Sequence, residues 1–138
     1  SYLNLAASRA MGKNIVSGQY NFSPQELAYI SNNWVHLDHD QTYTGSTGFS
    51  YFWHGTAYSM DALLASGLRR GFANTAKMPG YVQVNLGMTR KFGEFQGRFT
   101  VINLFDHSYE IRDGSGIGVG APQYGPRRGF YVGIGKNF

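Results

Sequence analysis

The last ten residues, Gly129–Phe138, read GFYVGIGKNF and alternate like a β-strand with two different faces. Phe130, Val132 and Ile134 fall on one face, because successive side chains of an extended chain point to opposite sides. The other face carries Tyr131 with glycine and asparagine, and no charge. A half-buried strand of a soluble sandwich has the same alternation. An apolar band against lipid, with small or polar side chains toward a wet lumen, accounts for the composition of both faces.

Five earlier segments repeat this two-faced pattern, at residues 2–15, 40–53, 56–66, 81–92 and 98–109. The segment 81–92 has the cleanest alternation, and no helical period fits it. Its apolar positions are Val82, Val84, Leu86 and Met88. Residues 98–109 carry apolar side chains at both even and odd positions, so the pattern does not assign their facing. The sequence therefore predicts an all-β chain of about six amphipathic antiparallel strands.

Two of these segments carry side chains that suit a membrane interface. Arg9 and Lys13 fall on the apolar face of segment 2–15, where long basic side chains would have to reach the headgroups. Aromatic side chains crowd one end of segment 40–53, as in the aromatic girdles of membrane barrels. They are Tyr43, Phe49, Tyr51 and Trp53. The alternative is a small aromatic core in a soluble sheet.

The connections between the predicted strands alternate in length: long, short, long, short, long. The first long connection contains Ser23-Pro24-Gln25-Glu26, a capping box that predicts a short helix through Ile30. Outer-membrane barrels have long external loops and short periplasmic turns. The pattern thus predicts that the long connections are external and that the chain ends on the periplasmic side.

Composition narrows the class of protein. The chain has 138 residues, 19 glycines, 16% aromatic residues and no cysteine, which favours β structure and excludes disulfides and thiolate metal sites. No apolar run approaches the ~20 residues of a membrane helix. The net charge of +4 is scattered along the chain, which argues against a nucleic-acid groove and is compatible with an anionic lipid surface. Ser1 opens directly in a strand pattern, so we expect the chain to be part of a longer protein.

Two segments superficially resemble cofactor sites. Residues 36–40, HLDHD, contain possible metal ligands, but without a second motif to complete a coordination sphere a polar loop explains them better. Gly116, Gly118 and Ala121 have the spacing of a dinucleotide motif, but Pro122 and further loop follow where a helix is required. We therefore predict no metal and no cofactor.

No catalytic constellation is evident from the sequence, and we predict that the chain is not an enzyme. A barrel-borne hydrolase that uses His36, His39 or Asp61 stays open as a minor alternative.

The last long connection, residues 110–128, contains the candidate ligand-binding residues. They are Arg112, Asp113, Tyr124, Arg127 and Arg128. Paired arginines suit carboxylate or phosphate groups, including those of lipopolysaccharide. A loop that orders itself through internal salt bridges explains the same residues equally well.

The last part of the chain also has a recognisable sequence pattern. Residues 101–106, VINLFD, followed by Tyr109-Glu110, resemble the penultimate strand of TonB-dependent outer-membrane receptors. GFYVGIGKNF resembles their closing strand with its final aromatic residue, and residues 111–128 are similar to the last external loop of one subgroup. The likeness is most specific over the last ~40 residues and rests elsewhere on the repeated amphipathic hairpins. Lys136 departs from the pattern, because an aromatic residue is usual at that position.

This resemblance implies that residues 1–138 are the C-terminal part of a 22-stranded barrel whose plug domain and TonB-contacting segment lie elsewhere. About six strands cannot close a barrel, since ~8 is the practical minimum, and unpaired edges are not tolerated in lipid. The implied function is energy-coupled uptake of a siderophore, cobalamin or oligosaccharide across the bacterial outer membrane. A soluble β-sandwich binding module is the main alternative.

The implied partners are outer-membrane lipid and lipopolysaccharide, the remaining barrel and plug, the TonB energy transducer and the barrel assembly machinery. No nucleic acid is among them. The resemblance further implies that the assembly machinery reads the terminal strand, through a signal formed by Phe130, Val132, Ile134 and Phe138.

Overall fold

The computed structural model describes residues 1–18, 20–37, 39–113 and 121–136. In chain order its elements are β1 Tyr2–Ala7, β2 Met11–Gly12, α1 Pro24–Asn32, β3 Val35–His36, β4 Tyr43–Trp53, β5 Thr56–Ala65, β6 Arg69–Arg70, β7 Ala76–Lys77, β8 Tyr81–Phe92, β9 Phe95–Ile102, β10 Glu110–Arg112, β11 Gln123–Tyr124 and β12 Gly129–Lys136. The prediction of a mostly antiparallel β chain with one short helix is confirmed.

Six strands form one antiparallel sheet in the order β1-β4-β5-β8-β9-β12. Each of these six strands pairs with the next of the six in chain order, so the sheet is a simple meander. Within the described ranges β1 and β12 are the two edges and do not pair with each other, so the sheet is open. Closure into a barrel therefore stays a prediction.

Strand register sorts the side chains of the sheet onto two chemically different faces. The face that we call the apolar face carries Leu3, Leu5, Phe49, Tyr51, Trp53, Tyr58, Met60, Leu64, Val82, Val84, Leu86, Met88, Phe99, Val101, Phe130, Val132 and Ile134. The opposite face is mainly polar, although Tyr2, Phe52 and Leu63 also lie on it. On this polar face lie Asn4, Ser46, Ser50, Ser59, Asp61, Gln83, Asn85, Thr89, Gln96, Arg98, Thr100 and Tyr131. Register also settles the facing of β9, because Phe99 and Val101 lie opposite Met88 and Leu86.

The apolar face is largely uncovered. Ile134 is 81% exposed and Val132 is 79% exposed, while Val84 of β8 and Val101 of β9 are buried. Among the described residues no second sheet covers the face, since the other strands form three two-stranded ribbons within the long connections. An uncovered apolar surface of this kind calls for another protein surface or for lipid.

The connections sort by length between the two ends of the sheet, as predicted. At the short-turn end, His54-Gly55 joins β4 to β5 and Gly93-Glu94 joins β8 to β9. His54 and Gly55 both have positive φ, at 45° and 78°, which is the backbone of a tight hairpin turn. The three long connections leave the opposite end, the long-loop end, because antiparallel strands reverse at each turn.

The long-loop end has a small core of its own. The capping box of α1 is confirmed: the Glu26 backbone N–H donates to Ser23 Oγ at 3.2 Å, and the Ser23 N–H donates to Glu26 Oε2 at 2.8 Å. Ile30 of α1 is buried against Val35 and Ala73. The first two long connections therefore pack together as an ordered unit.

No helix in the described part of the chain is long and apolar enough to span a membrane.

Two predicted strands are too long. The first ends at Ala7 rather than near residue 15, because Asp40 Oδ1 accepts the Ala10 backbone N–H at 3.2 Å and Met11–Gly12 pairs with Val35–His36 instead. Arg9 and Lys13 consequently lie outside the sheet, and their placement on its apolar face was wrong.

The strand predicted at residues 98–109 runs instead from Phe95 to Ile102. It begins directly after a two-residue turn, and it ends where Asn103 adopts a positive φ of 51°. Aromatic residue Phe105 therefore belongs to the last long connection and not to the sheet.

Candidate ligand-binding surface

Arg127, one of the predicted ligand-binding residues, is held within its own loop. Its Nε donates to Asp106 Oδ1 at 2.8 Å and its Nη2 donates to Asp106 Oδ2 at 2.6 Å, a bidentate pair. The Arg128 backbone N–H also donates to Asp106 Oδ1, at 3.0 Å. The hydrogen bonds from Arg127 and then from the Arg128 N–H hold the pKa of the Asp106 carboxyl well below its usual range. The same pair raises the pKa of Arg127.

Arg128 lies where the last long connection enters β12. Its Nη1 lies 3.4 Å from the Leu104 carbonyl oxygen, and its guanidinium lies 5.9 Å from the centre of the Phe130 ring. Arg127 and Arg128 thus fasten residues 104–106 to the start of β12. This geometry is the one expected if the two arginines order their own loop through internal salt bridges.

Arg112, Asp113 and Tyr124 lie on or beside the ribbon formed by β10 and β11. Arg112 is opposite Gln123, and Tyr124 is opposite Glu110 and 60% exposed. Arg70 donates to Glu110 Oε2 at 2.8 Å and lies 3.5 Å from Asp113 Oδ2. Arg70 therefore links the second long connection to the third.

The five predicted residues consequently form two groups rather than one. Arg112, Asp113 and Tyr124 surround the β10–β11 ribbon, whereas Arg127 and Arg128 bind Asp106. Sequence spacing does not reveal Arg70 and Asp106 as functional residues, because each bonds a partner in a distant segment. Tyr124 is the aromatic member of these groups, and its exposure leaves the ring accessible at the long-loop end.

The segment considered for a metal, residues 36–40, forms a different cluster. His36 Nδ1 lies 2.5 Å from Asp40 Oδ2, and Arg69 Nη2 lies 3.0 Å from His36 Nε2. Because arginine only donates, we assign Nε2 as the acceptor and Nδ1 as the donor to Asp40. Asp38 lies outside the described residues. No group of three possible metal ligands gathers in the described ranges.

Asp40 joins three segments of the first two long connections. Its side chain is buried, accepts the Ala10 N–H and the His36 ring, and lies near Arg69. Burial raises the pKa of the Asp40 carboxyl, but the hydrogen bonds from His36 and Ala10 and the charge of Arg69 bring it below the ordinary value. The carboxylate is thus a structural anchor.

A chain of polar side chains lines the polar face near the long-loop end. The Tyr109 hydroxyl donates to Gln83 Oε1, Gln83 Nε2 donates to Asn85 Oδ1 at 2.9 Å, and Asn85 Nδ2 donates to Asp61 Oδ2 at 2.7 Å. Burial, and then Tyr81, raises the pKa of Tyr109, so its hydroxyl stays a donor. Asp61, considered for a hydrolase, is bonded here to Asn85 rather than to His36.

Some predicted residues are outside the described ranges. They include Phe138 of the proposed assembly signal and the glycines Gly116 and Gly118. The other members of the assembly signal, Phe130, Val132 and Ile134, share the apolar face of β12.

Comparisons of the chain with protein-family models, with curated proteins and with solved structures found no match in any of the three.

Proposed function

We propose that this chain is a membrane-spanning portion of a bacterial outer-membrane β-barrel, of the kind found in TonB-dependent receptors. In this proposal the apolar face contacts lipid, the polar face lines the lumen and the long-loop end is extracellular. The barrel imports a scarce, bulky nutrient such as a siderophore, cobalamin or oligosaccharide. The plug, the remaining strands and the contact with TonB belong to other polypeptide.

The observation that carries the proposal is the single uncovered apolar face that continues across all six strands. In a soluble sandwich, side chains such as Val132 and Ile134 would pack against a second sheet, because burial is what makes such a face stable. A lipid-facing wall needs no second sheet. The sorting of long and short connections between the two ends supports the same interpretation.

Spin labels at two neighbouring residues test the lipid contact. Met88 is on the apolar face and Thr89 is on the polar face of β8. In the full-length protein that contains this chain, reconstituted in bilayers, a nitroxide at Met88→Cys should collide more with oxygen, which partitions into lipid. The same label at Thr89→Cys should collide less with oxygen. Similar access of a water-soluble nickel chelate to both labels would contradict the proposal and favour a soluble module.

Uptake assays test transport separately. Cells that express the full-length protein should accumulate one ligand from a panel of ferric siderophores, cobalamin and oligosaccharides. Accumulation should stop when the energy transducer is deleted, because the resemblance implies energy coupling. Uptake that persists without the transducer would point to a passive barrel.

A further inference from the structure

Arg90 is a charged residue on the apolar face. Register places it opposite Thr56 on one side and Gly97 on the other, in a row that continues to Ile134. Its guanidinium lies 5.4 Å from the centre of the Phe92 ring. Among the described residues no carboxylate lies within salt-bridge distance of Arg90. A cation on an apolar surface without a carboxylate partner is suited to bind an anion.

The surface next to Arg90 is a groove of about 360 Å³. It crosses β5, β8, β9 and β12, and its lining includes Arg90, Phe92, Gly97, Phe99, Val132 and Ile134. Arg98, whose side chain starts on the polar face, also lines it. Gly97 has no side chain to fill the groove. The space above it is free, because a Cβ there would meet only Phe92 Cε2, at 3.4 Å. A groove of this volume is large enough to hold part of a lipid chain.

The charges and apolar groups of the groove have a definite order along the strands. Arg90 is two residues from the end of β8, which is about 7 Å from the short-turn end. Phe99 and Val132 lie one row further toward the middle of the sheet. Lys136, bound to Glu94 at 3.4 Å, lies one row nearer the short-turn end. Arg90 and Lys136 thus lie nearer the short-turn end than Phe99 and Val132, which is the order of a phospholipid from headgroup to acyl chain.

We propose that Arg90 and the groove beside Gly97 bind an anionic glycerophospholipid from the leaflet at the short-turn end. The guanidinium binds the phosphate through two N–H groups, and an acyl chain lies against Phe99 and Val132. Arginine suits this role better than lysine, because its planar fork matches two phosphate oxygens. This inference rests on the proposed function, which makes the apolar face a lipid contact.

Lipid titration followed by native mass spectrometry tests the site. The full-length protein in neutral detergent is titrated with phosphatidylglycerol, and the bound lipids are counted. Arg90→Gln should weaken the tightest-bound lipid roughly tenfold. Lys91→Gln is the matched control, because it removes the same charge one residue away on the polar face, and it should bind like the unmodified protein.

Two further variants separate charge from shape. Gly97→Leu fills the groove and keeps Arg90, so it should also weaken binding. Arg90→Lys keeps the charge and loses the fork, so its affinity should fall between those of the unmodified protein and Arg90→Gln. Unchanged binding in both Arg90→Gln and Gly97→Leu would overturn the inference, and so would an equal loss in Arg90→Gln and Lys91→Gln.

Competition by inorganic phosphate shows whether the site binds a lipid phosphate or any free phosphate ion. Millimolar phosphate should not displace the lipid, because it lacks the acyl chain that occupies the groove. Displacement would show a simple anion site and overturn the lipid assignment. The spin-label experiment at Met88 and Thr89 keeps the two proposals distinct: labels that report lipid contact, with no loss of bound lipid in Arg90→Gln, would defeat only this inference.

Discussion

The backbone N–H of Asn103 donates to the side-chain oxygen of Asn85 at 3.0 Å, where strand pairing between β8 and β9 stops. One residue later, the Leu104 N–H donates to the Val84 carbonyl oxygen at 2.8 Å, so Asn103 is an extra residue in the ladder. The Asn103 side chain is 1% exposed. Its Nδ2 donates to the carbonyl oxygens of His107 and Pro126, each at 2.9 Å. Asn103 thus ends β9 and ties together both halves of the last long connection.

Replacing Asn103 with alanine should be strongly destabilising. Alanine loses the buried hydrogen bonds of the side chain and disfavours the positive φ of 51°. We expect a loss of roughly 3 kcal/mol or more, measured by reversible unfolding of the full-length protein. Asn103→Gly should cost about 1 kcal/mol less, because glycine adopts that φ freely. Equal losses in the two variants would show that the backbone conformation contributes nothing.

Arginine at Leu86 should destabilise the barrel by about 2–4 kcal/mol, because the side chain would point into lipid near mid-strand. The matched control is Thr100→Arg, since Thr100 lies on the polar face next to Val101, the partner of Leu86. Asn85 does not serve as a control, because it bonds Gln83, Asp61 and Asn103. Unfolding measured in detergent or lipid checks the difference, and similar losses at both sites would refute the assignment of the faces.

Single cysteines test which end of the sheet is extracellular, since the chain contains none of its own. Thr75→Cys lies in the second long connection and is exposed, so an impermeant maleimide should label it on intact cells. Glu94→Cys lies in a short turn and should be labelled only after the outer membrane is permeabilised. Labelling of Glu94→Cys alone on intact cells would invert the topology.

Acid should release the anchor at Asp40. Its pKa is lower in the folded chain than the ordinary value of 3.8, so its stabilising contribution is complete above that value and is lost as the pH falls through the lower, folded pKa. The Ala10 N–H donates to Asp40, so its hydrogen-exchange protection factor, corrected for intrinsic rates, should fall below about pH 4. In Asp40→Asn this pH dependence should disappear. The Ser8 N–H, which donates to the Thr42 carbonyl, is the internal control.

The terminal strand should act as an assembly signal through its apolar face. Val132→Ser should reduce the amount of protein inserted in the outer membrane far more than Gly133→Ser, its neighbour on the polar face. Gly133 has room for a side chain, since a Cβ there would come no closer than 4.0 Å to Arg98. Deletion of Phe138 should have the same effect on insertion, although the assembled barrel would lose only about 1–3 kcal/mol. Normal membrane levels of Val132→Ser and of the Phe138 deletion would leave the strand with a structural role alone.

Several features were predictable because they depend on neighbours in the chain. The helix at Pro24–Asn32 follows from a capping box of four consecutive residues. The bounds of β8, Tyr81–Phe92, follow from alternation with period two, in which Arg90 is the one charged residue at an apolar position. The bounds of β1 and β9 were not predictable in this way. Apolar residues beyond Ala7 and Ile102 continue the pattern, but side chains from distant segments, Asp40 and Asn85, capture the backbone there.

The candidate ligand-binding surface shows the same division. The sequence identified Arg127 and Arg128 as a basic pair, but their shared partner Asp106 comes from a segment about twenty residues earlier. Arg70, which bonds Glu110, belongs to a different connection altogether. Charge type is readable from a single residue, whereas pairing depends on how loops meet in space.

By itself the sequence determined the two-faced character of the strands and the alternation of long and short connections, because both are local in the chain. Only the tertiary structure decided the facing of β9, the places where β1 and β9 end, and the absence of a carboxylate beside Arg90 in the described part of the chain. Those features depend on cross-strand register and on side chains far apart in sequence. A change of register by one residue exchanges the two faces of a strand, so facing becomes definite only when the partner strand is in place.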